Sequence, residues 1–363
     1  MRSTLNAIAL PLLAIVAALG VFGVFVSLAG VSPVAVWVLL FKGAFGDWFS
    51  WQNTLQRAAP LMLTALCVAV PARAGLVVIG GEGALVLGGL ACAVAAQSLP
   101  VPSGGLGIAI ICAAGALVGA LWVALTGWLR QYRGVNETIS SLLLAYIALG
   151  LFKHLVEGPL RDPASLNKPS TYSLSDGLRI GGIGGSDVHW GLVLGVLACL
   201  GLAVWMRWTT SGFSVRVVGG NLRAAQLVGL PASRLILIAC ALGGACAGLA
   251  GAVEVAAVHG NANVSLIAFY GYAGILVSFM ARHNPVAIIP VAILFGGFGA
   301  AGSLLQRRLG LPDASMLVLQ GIAFVFILAS EALRHVDWKA RLERLARTGR
   351  TKPGSLPQEM KLS

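Results

Sequence analysis

Hydrophobic positions in this chain of 363 residues come in long runs, not in alternation, and short stretches rich in Gly, Pro, Lys and Arg separate them. About 20 consecutive apolar residues cross a bilayer as a helix rising about 1.5 Å per residue, so the runs predict membrane-spanning helices. A transmembrane barrel would show period-two alternation instead. Ten spans are expected, at 5–28, 58–70, 76–99, 105–129, 138–156, 190–208, 235–258, 266–281, 286–305 and 314–333. The run at 5–28 is too long for the apolar region of a signal peptide and is taken as the first span. The second is short for a bilayer and has Pro60 and Pro71 at its ends, so a kink or an extension by its flanks is expected. The third opens on Ile79, Gly80, Gly81, Glu82 and Gly83, a poor start for a regular helix.

The polar stretches are of two kinds. The sequence TTSGFSVRVVGGNLRAAQLVGLPASR at 209–234 carries Arg216, Arg223 and Arg234 and no acid. Asn221 is a good N-cap, 222–228 predicts about two turns of helix, Gly229 suits the left-handed position past a helix end, and Pro231 forbids continuation. A helix this short does not hold itself together. Its sharp boundaries point either to a surface that docks another protein or to an interfacial loop whose arginines fix topology. By contrast, 157–189 mixes three Lys or Arg with four acids and carries Pro159, Pro163 and Pro169. The charge asymmetry makes 209–234 cytoplasmic and 157–189 an external loop. Trp37, Trp48, Phe49 and Trp51 are expected at the external headgroup boundary. An even number of spans puts both termini in the cytoplasm and divides the chain into a transmembrane domain, 1–333, and a basic cytoplasmic tail, 334–363. Arg307 and Arg308 fall on the external side of this count, against the charge rule.

Composition agrees with a polytopic all-α membrane protein: 58% of residues are hydrophobic and 10% charged, against about 25% charged in soluble domains. The 47 glycines predict closely packed helices, some of them broken. The net charge of +12 is not a nucleic-acid signature, because eight of the 25 Lys and Arg lie in the tail. Six cysteines sit inside apolar runs as packing residues and five histidines are scattered, so no metal site is expected. No GxxxxGK[ST] phosphate loop occurs, and the largest polar pieces are too small to fold as catalytic domains. Nucleotide hydrolysis, if the protein uses it, therefore belongs to another polypeptide.

Glu82 stands among glycines at the edge of an apolar run. Either it lines a translocation path through a broken helix, or it accepts hydrogen bonds from backbone amides freed by the neighbouring glycines. Asn136, Glu137 and Ser140 open the fifth span, where helix-cap chemistry is sufficient to explain them; Tyr146, two turns deeper, is a packing residue or faces a cavity. Glu254, followed by His259, Asn261 and Asn263, suggests a polar rim at the external mouth. Tyr270 and Tyr272 on the eighth span are further groups able to meet a polar solute. None of these forms a nucleophile, base and orienter set. With Glu82 and Glu254 as the only membrane carboxylates of note, an ion- or proton-coupled secondary transporter is the weaker alternative to a motor-driven permease.

Three stretches together resemble the permease subunits of bacterial ATP-binding-cassette (ABC) importers of the branched-chain amino acid, ribose and simple-sugar superfamily. They look most like the nucleoside-type branch that works with basic-membrane-protein lipoproteins. The stretches are AGLVVIGGEGALVLG at 74–88, which departs from the family pattern at Val78 and Ala84; GVNETISSLLLAYIALGLFKHLVEG at 134–158, with Pro159, Arg161, Asp162 and Pro163 after it; and 212–230. In the last, Gly212, Arg216, Gly219, Asn221, Ala224, Ala225 and Gly229 hold the positions of the family's coupling loop, with Arg223 beside them. The resemblance implies an inner-membrane importer of a nucleoside or related purine or sugar compound. It also implies a second, similar permease, an external binding protein, and ATP and magnesium held on separate ATPase subunits, with no cofactor on this chain.

Overall fold

A computed structural model of the chain describes residues 2–312 and 314–334; the expected tail lies outside the described residues from 335 onward. The described chain is helical, without strands. Among the described residues, seven helices are long and apolar enough to cross a membrane: α3 (Trp48–Arg73), α4 (Gly81–Ser98), α5 (Gly105–Arg133), α6 (Glu137–Glu157), α7 (Gly191–Trp208), α10 (Ala232–Val253, continued to His259) and α12 (Pro285–Leu309). Shorter apolar stretches lie in α1 (Arg2–Leu28), α2 (Pro33–Phe45), α11 (Tyr270–Met280) and α13 (Ala314–Arg334). Two small helices, α8 (Thr210–Gly220) and α9 (Leu222–Leu227), connect α7 to α10.

α3 is the central post. All its residues from 58 to 71 are buried, as expected of a helix apolar on every side. Its apolar part was legible as the second span, but the helix continues outward through Trp48–Arg57, as the short run required. Asp47 caps its first turn, accepting from the Ser50 N–H at 2.7 Å. Pro60 sits inside the helix, and the Thr64 hydroxyl lies between the Pro60 carbonyl at 2.8 Å and the Tyr270 carbonyl of α11 at 3.0 Å. Around α3, one apolar core joins α1, α2, α7, α11, α12 and α13, and a second joins α4, α5, α6 and α10.

Glycine contact welds the second group. Gly115 and Gly119 of α5 face Gly244 and Gly248 of α10, each pair four residues apart and so on one helical face. A Cβ at Gly119 would lie 2.7 Å from the Gly248 Cα, and one at Gly115 2.7 Å from the Gly88 carbonyl oxygen of α4. These backbones touch, the arrangement that small residues spaced by four permit in membranes.

Two ends of the bundle are chemically distinct. At one, the loop after α6 lies over the end of α10: Thr171, Leu174 and Ile180 donate backbone N–H to the carbonyls of Ala262, Gly260 and Ala256 at 2.8 to 3.0 Å. At the other lie Arg73, the ends of α5 and α7, and the α8–α9 hairpin. Arg307 and Arg308 close α12. The Arg73 Nε donates to the His283 carbonyl, just before α12 begins, at 3.0 Å, so α12 starts at the hairpin end and carries both arginines toward the loop end.

Candidate functional site

α4 and α11 both begin inside the bundle. α11 has 11 residues, roughly 16 Å of helix and about half a bilayer, and it is entered from a non-helical segment. The N-terminus of such a half-helix leaves backbone N–H groups without partners. Glu82, fully buried in the first turn of α4, supplies them: its carboxylate accepts from the Phe269 N–H at 2.9 Å and the Gly271 N–H at 2.6 Å. This is the acceptor role weighed from sequence, with other donors: the amides come from a helix nearly 190 residues away, not from the glycines beside Glu82. A Cβ at Gly81 would sit 3.6 Å from the Gly271 Cα, so the two broken helices meet end to end. Glu82→Gln keeps the volume but turns one donor toward a donor. With a charge-assisted bond to a buried amide lost, about 2 kcal/mol, uptake is expected to fall roughly 10-fold or more while surface expression stays near normal.

α10 ends in a π-helical turn, Glu254–His259, a distortion that recurs at functional sites. With i to i+5 bonding, residues five apart come to one face, and His259 Nε2 lies 3.8 Å from Glu254 Oε2. Facing them, Asn53, Gln56 and Arg57 share one side of α3, at the i, i+3, i+4 spacing. Together with Tyr270 they surround a cavity of ≈ 230 Å³ at the loop end. Arg57 and Tyr270 also border a second cavity of ≈ 360 Å³, reaching Phe295, Gly299 and Gln320. A third, apolar space of ≈ 510 Å³ shares Phe269 and Gln320 with the second and extends past Tyr272 to Val77, Phe279 and Leu328, toward the hairpin end. The three share walls in sequence.

Of the residues singled out from sequence, Glu254, Tyr270 and Tyr272 line these spaces, and Glu82 holds up the helix that carries the two tyrosines. Asn136 caps α6, accepting from the Thr138 and Ile139 N–H groups at 2.9 and 3.2 Å. Glu137 pairs with Arg130 at 3.3 Å, and the Ser140 hydroxyl donates to the Glu137 carbonyl. This cap stands at the hairpin end, apart from the polar cavity. Tyr146 is 60% exposed on α6, and the Asn261 side chain accepts from Asn263 at 2.6 Å. Sequence reasoning passed over Arg57, Gln56 and Asn53. Their signal was the polar stripe at helical spacing just ahead of Pro60.

The α8–α9 hairpin takes the place of the expected single short helix. α8 was not foreseen; Thr209 caps it, its hydroxyl accepting from the Gly212 N–H at 3.1 Å. Gly212 packs on the backbone of Trp205 and Met206, and Arg216 lies over the Phe213 ring at 5.9 Å. Gly219 sits on the Arg73 carbonyl, where a Cβ would overlap it. Asn221 caps α9 as predicted, accepting from the Ala224 N–H at 3.0 Å, and Gly229 has φ +78°. Ala225 is fully buried in a third apolar core at the hairpin end, shared with α8 and α10, whereas Leu227 and Val228 are 88% and 73% exposed. Arg223 and Ala224 are exposed beside them.

A family model described as branched-chain amino acid transport system / permease component matches residues 50–328. Over 332 residues, 88% of this chain and 87% of the other, the chain is 32% identical to the glucose ABC transporter permease protein TsgB13 of Haloferax volcanii. It is 28% identical to the guanosine ABC transporter permease protein NupP of Bacillus subtilis, covering 94% of this chain and 99% of that one. It is 27% identical to NupQ of the same organism, also a guanosine ABC transporter permease protein, covering 76% and 89%. With these matches on a polytopic helical bundle, the chain belongs to the branched-chain amino acid transport system permease family and is the permease component of an ABC transporter.

Proposed function

We propose that this chain is one permease subunit of an importer that carries a nucleoside, or a related purine or sugar compound, into the cell, driven by ATPase subunits docked on the α8–α9 hairpin. The observation that carries this reading is the hairpin itself. A six-residue helix is too short to persist alone, yet α9 is capped at its start, anchored through buried Ala225, and presents Leu227 and Val228 outward. A small apolar patch on a hairpin that also exposes Arg216 and Arg223 is suited to seat in a groove of another protein. On this reading the hairpin end and both termini are cytoplasmic in a bacterial inner membrane, and the loop end receives solute from an extracytoplasmic binding protein or lipoprotein. ATP and magnesium reside on the partner ATPase. The likeness to both NupP and NupQ supports pairing with a homologous but different permease.

Two measurements test it. A cysteine at Leu227 in native membranes is expected to cross-link to an ATP-hydrolysing subunit; capture of no such neighbour sinks the docking assignment. Proteoliposomes with the complete importer are expected to accumulate labelled guanosine only when ATP is supplied. Uptake that follows an ion gradient without any ATPase would favour the secondary-transporter alternative instead.

A further inference from the structure

We propose that the cavity between α3, the π-helical turn after α10 and the start of α11 is the permease's own solute site, built for an uncharged, hydrogen-bond-rich solute, with Arg57 and Tyr270 as the partition the solute passes to reach the second cavity. The substrate class rests on the function proposed above; the location of the site does not.

Four observations carry the location. Charged groups inside a membrane protein are costly and are kept where they meet solute, ion or water; here Arg57 and Glu254 line one cavity. Glu254 is 4% exposed, and the His259 ring stands 3.8 Å away, beyond hydrogen-bond distance, so a carboxyl group with little solvent borders the space. The π-helical turn puts Glu254 and His259 on one wall at the cost of regular helix geometry, and the polar stripe of α3 forms the opposite wall. Finally, Arg57 and Tyr270 belong to two consecutive cavities at once. Of the residues in this shared wall, Arg57 has the longest and most rotatable side chain, which makes it the part able to move.

The class of solute follows from the charges. Arg57 and Glu254 set a cation and a buried carboxyl group on facing walls, so a solute that offers both donors and acceptors pairs with each. A phosphate or free carboxylate would have to sit beside Glu254 in a medium that screens poorly. Donors from Arg57 and Tyr270 and acceptors from Glu254 and His259 match hydroxyl-bearing rings and heterocycle edges, which present both. Asn53 and Gln56 have amide nitrogens that already donate to the Phe49 and Asp187 carbonyls at 3.1 and 2.5 Å, which holds their side chains in place at the rim.

The experiment uses thiol labelling on the complete importer. All six native cysteines are buried, so a cysteine introduced as Ala268→Cys, where both cavities meet, reports with little background. A membrane-impermeant methanethiosulfonate is expected to modify it, and saturating guanosine to slow the reaction roughly 10-fold while guanosine monophosphate does not. Protection by glucose and not by guanosine would keep the site and overturn the nucleoside reading of the function. No protection by whichever solute the same vesicles transport overturns the site, and protection by the monophosphate equal to that by guanosine overturns the neutral class. For the partition, Arg57→Gln is expected to speed modification of Ala273→Cys in the second cavity roughly 10-fold and to depress uptake. An unchanged rate with normal assembly overturns the gating role. Arg57→Lys, which keeps the charge and shortens the reach, guards against a variant that merely fails to fold.

Discussion

Ala225→Pro is expected to abolish ATP-driven uptake, by about 100-fold or more, which corresponds to about 2.7 kcal/mol of lost coupling. The Ala225 N–H donates to the Asn221 carbonyl at 3.0 Å, and proline removes that donor and drives its ring against the same carbonyl, costing about 3 kcal/mol. Ala225 has no exposed surface, so the ring also has nowhere to go but into the core that α9 shares with α8 and α10. α9 gives Ala225 to the smaller core at the hairpin end and nothing to the two larger cores that hold the bundle, so insertion and monodispersity in detergent are expected to survive. The decisive pair of measurements is uptake and solute-stimulated ATPase activity, both lost, beside basal ATPase activity of the separate motor, retained. Normal uptake by this variant would remove α9 from the coupling route.

Gly248→Val is expected to do the opposite: to destroy the assembly and not the coupling. A Cβ at Gly248 would overlap the Gly115 carbonyl oxygen and lie 3.0 Å from the Gly119 Cα, all backbone, which cannot swing aside. Overpacking of this kind costs about 3 kcal/mol even where side chains can adjust, and here two helices would have to separate along their seam. Fluorescence-detected size-exclusion is expected to show aggregate in place of a monodisperse peak. Gly150→Val on α6, where nothing lies within 4 Å of the new Cβ, is the control and is expected to behave as the parent. Equal behaviour of the two variants would show that the α5–α10 seam does not need its glycines.

Much of this architecture was legible because lipid imposes its own grammar: apolar runs had to become helices, and Asn221 and Gly229 announced the bounds of α9 through backbone needs that are local. What was not legible depends on partners far along the chain. Glu82 looked self-contained among its glycines, yet its ligands are amides of residues 269 and 271. The polar turns of α3 lowered the hydropathy of 48–57 and hid the first turns of a spanning helix, because Asn53, Gln56 and Arg57 face a cavity instead of lipid. α8 escaped notice because Gly212, Gly219 and Gly220 disfavour helix when isolated; close packing on Trp205 and Arg73 reverses that preference. The π-helical turn has no local signature that a single sequence displays.

The turn between α11 and α12 has a mechanical consequence. Arg282 and His283 both adopt left-handed backbone, φ +53° and +54°, a conformation that costs an ordinary side chain on the order of 1 kcal/mol or more each. Arg73 reaches the carbonyls of both, at 3.4 and 3.0 Å, from directly beneath Gly219 of α8. One residue thus ties the hairpin to this strained joint: the Arg73 backbone carries Gly219 of α8, and its guanidinium holds the carbonyls at the start of α12. Any displacement of α8 is therefore felt first where α11 hands over to α12.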